Sequence, residues 1–127
     1  MKTLLVFILV TCLGVLAAKA DGIALAGSEW GFGDGDKPFI QFRSDGRVSG
    51  HAGCNRFTGG YTEDGGNLSF GLLAMTQMMC APADMERERT FSQLLNNTRR
   101  FEATHMKLTF YSGAGNALVT LRRRDFE

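Results

Sequence analysis

A mainly β fold is what this sequence predicts: a small curled antiparallel sheet or barrel-like fold with one α-helix packed against it. Three observations carry that expectation. Short apolar stretches alternate with Gly- and Asp-rich turns through most of the chain, only one stretch has helical spacing, and glycine is abundant at 16 residues while proline is scarce at 2. Strands in series joined by tight turns, with one late helix, describe a sheet that curls over a single core.

The first twenty residues stand apart from the fold. Lys2 precedes the apolar run 4–18, and Ala18-Lys19-Ala20 supplies the small residues that a signal peptidase needs. Residues 1–20 therefore read as a signal peptide cleaved after Ala20, which leaves residues 21–127 as one domain and places the protein in the periplasm or outside the cell. The chain is not expected to span a membrane, because a spanning helix takes about 20 apolar residues and Lys19 arrives too early. Cys12 allows a different reading, a lipid-anchored protein acylated at a lipobox 9–12. Thr11 is large for that motif and residues 13–18 are apolar where a tether should be polar, so signal cleavage is preferred.

Charge and cysteine usage follow from that cut. Lys2 and Lys19 leave with the signal, so 12 of the 14 Lys and Arg remain against 13 Asp and Glu. A net charge near −1 lacks the basic excess of a nucleic-acid-binding domain, and no nucleic-acid partner is expected. Of the three cysteines, Cys54 and Cys80 remain. In an oxidising compartment an even pair is read first as a disulfide, which stabilises the fold by about 3.5 kcal/mol on the chain-entropy model. Two reduced, buried thiols are the alternative.

Along the mature chain, residues 27–32 read as a first strand and Gly33-Asp34-Gly35-Asp36 as a turn. Lys37-Pro38 follows, and no Glu closes the spacing, so the acidic turn is not a calcium loop. Ile40 and Phe42 alternate with Gln41 and Arg43, as a half-buried strand requires, and Ser44-Asp45-Gly46-Arg47 turns the chain into a return strand at 48–52. A further strand covers 58–62, a turn 63–67, and a strand 68–70. Residues 72–79 are apolar and rich in methionine, and they predict a strand covered on both faces. The helix is expected from Asp84, as cap, to about Thr98, with Phe91, Leu94, Leu95 and Thr98 in one stripe, Glu86 and Glu88 near its positive end and Arg99 and Arg100 near its negative end. Strands at 106–111 and 117–122 close the sequence as a hairpin, and Arg122-Arg123-Arg124 reads as a solvated edge that blocks aggregation.

His51, Cys54, Cys80 and His105 have zinc-ligand types, but only His51-x2-Cys54 approaches the paired spacing of a structural site, so no metal is expected. Residues 46–50 miss a serine nucleophile elbow, and no glycine-rich phosphate loop ends in Lys-Ser/Thr. Cys54 beside His51 could act as a nucleophile, but a disulfide would consume it. No catalytic residues and no cofactor are therefore expected. Met75, Met78, Met79 and Met85 could line an adaptable apolar site, although plain core filling is the preferred use.

Two stretches carry a resemblance: residues 49–61 (SGHAGCNRFTGGY) and 68–80 (LSFGLLAMTQMMC). Gly53, Cys54, Asn55, Phe57, Gly59 and Tyr61, then Thr76, Met78 and Cys80, are similar to the motif of the META/HslJ heat-shock family. Order and spacing agree from about residue 30 to 124. Met75 departs from a small polar residue, and Gln77 from the family's usual Arg. The resemblance implies a β-rich, barrel-like fold and an envelope protein of bacterial stress tolerance, including heat and novobiocin resistance, with no defined catalytic activity. Physically, glycines would permit tight turns and close backbone approach, Asn55 would bond backbone groups, and Phe57 and Tyr61 would fill the core. The expected function is an exported, non-enzymatic module that binds an unknown protein or a small apolar ligand. A secreted enzyme inhibitor, a cysteine-dependent enzyme and a structural envelope protein are the alternatives.

Overall fold

A computed structural model describes residues 24–33 and 35–125. The expected signal, Cys12 and Asp34 lie outside them. Among the described residues nine strands and one helix follow in the order β1 (Ser28–Gly31), β2 (Phe39–Phe42), β3 (Arg47–His51), β4 (Arg56–Asp64), β5 (Asn67–Phe70), β6 (Ala74–Met75), α1 (Pro82–Asn97), β7 (Arg100–Ala103), β8 (Lys107–Tyr111) and β9 (Ala117–Arg123). All pairings are antiparallel, in the spatial order β3-β2-β1-β9-β8-β7-β5-β4-β6. β3 also pairs with β4, so the sheet returns on itself as a near-ring. The mainly β expectation, with one helix against a curled sheet, is what forms.

Alternation explains the core. Ile40 and Phe42 of β2, Leu108 and Phe110 of β8, and Leu121 of β9 are fully buried, while Gln41, Lys107 and Arg122 face water. Trp30 sits among them with its indole N–H donating to Ser28 Oγ at 2.7 Å. The helix adds Phe91 and Leu95, with Phe91 packed against Phe32 and Phe57 at centroid distances of 6.1 and 5.8 Å. Offset and edge contacts of this kind add about 1 kcal/mol each beyond burial.

Four local expectations are corrected. The helix begins at Pro82 after Ala81, with no side-chain cap, because a proline at the first helical position has no N–H to satisfy. Asp84 lies in the first turn and pairs with Arg87 at 3.0 Å instead of capping. At the other end Arg99 Nη1 donates to the carbonyls of Asn96 and Thr98 at 2.8 and 2.7 Å, in keeping with the dipole. Residues 100–103, unassigned from sequence, form β7, whose one buried side chain, Phe101, gives too short an alternation to stand out.

The arginine run is not an edge. β9 lies between β1 and β8, with Trp30 opposite Arg123 and Gly31 opposite Arg122. Arg123 stacks over Trp30 at 5.5 Å and pairs with Asp125 at 2.8 Å, holding that carboxyl below its ordinary range. Arg124 lies 4.7 Å over Phe39 and 3.2 Å from Glu29. Residues 72–79 are not a strand covered on both faces either: only Ala74–Met75 pairs, with β4. Leu72 is 98% exposed, Met79 92% and Met78 54%.

Candidate functional site

Gly53, Cys54, Asn55, Thr76, Met78 and Cys80, singled out by sequence, converge where the loop after β3, the segment 76–80 and the helix meet. Gly53 opens the loop at φ +126°, a conformation that L side chains rarely adopt. A Cβ there would stand 3.1 Å from Glu88 N and 3.2 Å from Asp84 O, so the missing side chain lets the loop lie on the helix backbone. Gly50 is tighter still: a Cβ would meet Phe39 O at 2.2 Å.

Asn55, 3% exposed, uses every polar atom of its side chain. Its Oδ1 accepts from Thr76 Oγ1 at 2.9 Å and from Met78 N at 2.6 Å. Its Nδ2 donates to Met78 O at 3.3 Å and to Glu88 Oε2 at 3.0 Å, and its backbone N–H donates to Glu88 Oε1 at 2.6 Å. Thr76 Oγ1 in turn accepts from Arg56 N at 3.1 Å. One residue thereby joins β4, the helix and the segment after β6, and it gives Met78 the backbone partners that a neighbouring strand would otherwise supply.

A covalent bond runs beside this network. Cys54 and Cys80 form a disulfide with a Cα separation of 5.8 Å. Their sulfurs are bonded to each other and do not act as zinc thiolates or as a nucleophile. His51 Nδ1 accepts from Gly53 N at 3.1 Å, and burial, then Lys37 and Arg56, lowers its pKa from 6.5. Burial thus favours the neutral ring, in which Nδ1 accepts and Nε2 carries the proton. His105 is exposed in the β7–β8 turn, and among the described residues no group of three or more His, Cys, Asp or Glu could hold a metal ion.

Phe57 is buried as expected. Tyr61 is half-buried, edge-on to Phe42 at 5.0 Å, with its hydroxyl donating to Arg43 O; burial, then Glu63 and Asp45, raises its pKa. Gly59 admits Leu73, whose Cδ2 lies 2.6 Å from where a Cβ would be. The methionines divide. Met75 packs on the core and Met85 is half-buried, whereas Met78 and Met79 stand in water and are not core filler. Segment 71–81 is thus a strap, fixed through Asn55 and Cys80, that displays Leu72, Met78 and Met79.

The profile of the META domain family matches residues 20–125. This chain belongs to the META domain family. Over 77 residues the chain is 38% identical to the heat shock protein HslJ of Escherichia coli (strain K12), a match covering 60% of this chain and 54% of that protein. The chain thus spans about half of that relative. An NMR structure of a protein from Burkholderia xenovorans superposes with a TM-score of 0.63 at 24% identity, covering 80% of this chain and 85% of that one. A second NMR structure gives 0.59 at 29% identity, covering 79% and 90%. These likenesses agree with the fold of the sheet and helix found here.

Glu88 and Leu72 are the site residues that sequence reading missed. By sequence Glu88 is only a charge near the positive end of the helix. It shares the inward face with Phe91 and Leu95 at spacings of three and seven, and a carboxylate on an apolar stripe is a signal that it holds something. A concavity of about 250 Å³ lies between the helix and the β1–β2 connection, lined by Phe32, Pro38, Phe91, Arg87 and Glu86. It is open, and Arg87 is already paired with Asp84. Among the described residues no helix is long and apolar enough to cross a membrane.

Proposed function

We propose that this META-domain protein is an exported stress-response module that works by binding, through the strap 71–81, and not by catalysis. The observation that carries this reading is the division of labour in the motif. Asn55, Thr76, Glu88, Cys54 and Cys80 are engaged with one another, while Met78 and Met79 beside them, and Leu72 farther along the strap, face solvent. Apolar side chains displayed along a strap that is tied down by Asn55 and Cys80 suit association with a partner protein or an apolar ligand, since burying them against one removes apolar surface from water. Methionine suits such a surface because its unbranched thioether adapts to varied shapes.

Export to the periplasm or beyond is supported by the apolar run after Lys2 and by the disulfide, which persists in oxidising compartments. The stress role is supported by the likeness to a protein named as a heat shock protein. Heat survival of a strain lacking this chain, complemented with the wild type or with Leu72→Ser/Met79→Ser, tests the reading. Loss of protection by a variant that melts like the wild type supports it, and full protection contradicts it. N-terminal sequencing of the exported chain should begin at Asp21.

A further inference from the structure

We infer that Met78 and Met79 form an oxidation site, and that conversion of their thioethers to sulfoxides switches the strap from apolar to polar without unfolding the domain. The inference concerns oxidants of the hypohalous acid class. The switching half rests on the binding role proposed for the strap; the oxidation half does not.

Accessibility separates the methionines. Met79 is 92% exposed and Met78 54%, whereas Met75 packs against the core with its sulfur 4.0 Å from Ser92 Oγ. Met85 is half-buried on the helix. Oxidation requires the reagent to reach a sulfur lone pair, so attack follows exposure. Met106, 51% exposed before β8, provides an accessible methionine away from the strap.

The reaction balances without help from the protein. The thioether sulfur attacks the chlorine of hypochlorous acid, forming a chlorosulfonium ion and hydroxide. Water then adds at sulfur and chloride leaves, so that thioether and hypochlorous acid give sulfoxide, chloride and one proton. Sulfur loses two electrons and chlorine gains them. The new S=O group is polar and accepts hydrogen bonds, which reverses the character of a side chain that had been apolar.

The support beneath the site has no part in this chemistry. Met78 is held through its backbone, N–H to Asn55 Oδ1 at 2.6 Å and carbonyl from Asn55 Nδ2 at 3.3 Å, and the chain is tied two residues on by Cys80. Neither bond involves the thioether, and the cysteines are already oxidised to the disulfide. The strap can therefore change polarity while its path stays fixed. Methionine sulfoxide is reducible by enzymes, so the change is reversible.

The test treats the folded, disulfide-bonded chain with stepwise equivalents of hypochlorous acid and maps sulfoxides by peptide mass spectrometry. Melting and the fluorescence of 8-anilinonaphthalene-1-sulfonate are followed in parallel. The expected result is early oxidation of Met79, Met78 and Met106, late oxidation of Met75 and Met85, an unchanged melting curve, and a severalfold fall in probe fluorescence. Met78→Gln/Met79→Gln should reproduce the fall, and Met106→Gln should not. Oxidation of Met75 as fast as Met79 in the still-folded chain would overturn the site. Probe fluorescence that persists when both strap methionines are sulfoxides would overturn the switch. A native chain that gives no probe enhancement, with the oxidation order intact, would sink the binding role and the switch while upholding the site.

Discussion

Asn55 and Glu88 are joined twice: the asparagine backbone N–H donates to Glu88 Oε1 at 2.6 Å and its side-chain Nδ2 donates to Oε2 at 3.0 Å. The two residues are 33 apart in sequence, and the pair fixes the loop after β3 to the helix. The same asparagine holds Met78 by both backbone groups. Asn55→Ala should therefore destabilise by roughly 2–4 kcal/mol, since it removes several bonds at once and strands buried polar groups. Asn55→Asp should do no better at neutral pH, because it sets a second carboxylate against Glu88. Denaturant unfolding of the oxidised proteins measures both.

The Cys54–Cys80 bond spans 26 residues. Cys54→Ala/Cys80→Ala should lower stability by about 3.5 kcal/mol, and the melting temperature by more than 10 °C for a domain of this size. Calorimetry with and without reductant checks this. In the native oxidised protein both sulfurs should resist alkylation.

Gly53→Ala should destabilise by roughly 1–3 kcal/mol, because the residue holds φ +126° and its Cβ would press on the backbone of α1. Gly50→Ala should be worse, because the Phe39 carbonyl oxygen stands 2.2 Å from the new carbon and cannot move without breaking the β2–β3 pairing. Soluble yield and unfolding midpoint report both.

Stability should fall on acidification through His51. Its pKa is lowered in the fold, so the unfolded chain binds the proton more readily. The contribution of the neutral ring is fully present above the unfolded value near 6.5 and is lost as pH falls from there through the lower folded pKa. Protonation at Nδ1 also removes the acceptor for Gly53 N–H. His51→Gln should flatten that part of the stability profile between pH 7 and 5, measured by denaturant titration.

The sheet was largely legible in the sequence because alternation and Gly–Asp turns are local signals. Ile40 and Phe42 before Asp45-Gly46 suffice to specify the β2–β3 hairpin. What failed was non-local. Residues 72–79 are apolar enough to read as a buried strand, but only Ala74–Met75 pair with β4, and the backbone partner of Met78 is the side chain of Asn55, more than twenty residues away, which no periodicity encodes. Arg122 to Arg124 looked like an edge because sequence order made β9 the last strand, whereas ring closure put β1 beside it. The motif of glycines, Cys54, Asn55 and Cys80 was found, but Glu88, which completes it, was read only as a helix charge.

Amide hydrogen exchange at Met78 tests most directly whether one asparagine fixes the strap. The Met78 N–H should be strongly protected in the native protein, and in Asn55→Ala it should exchange freely while the amides of β2, β3 and β8 stay protected. A Met78 amide that exchanges freely in the native protein, or one that stays protected after Asn55→Ala, would contradict the account.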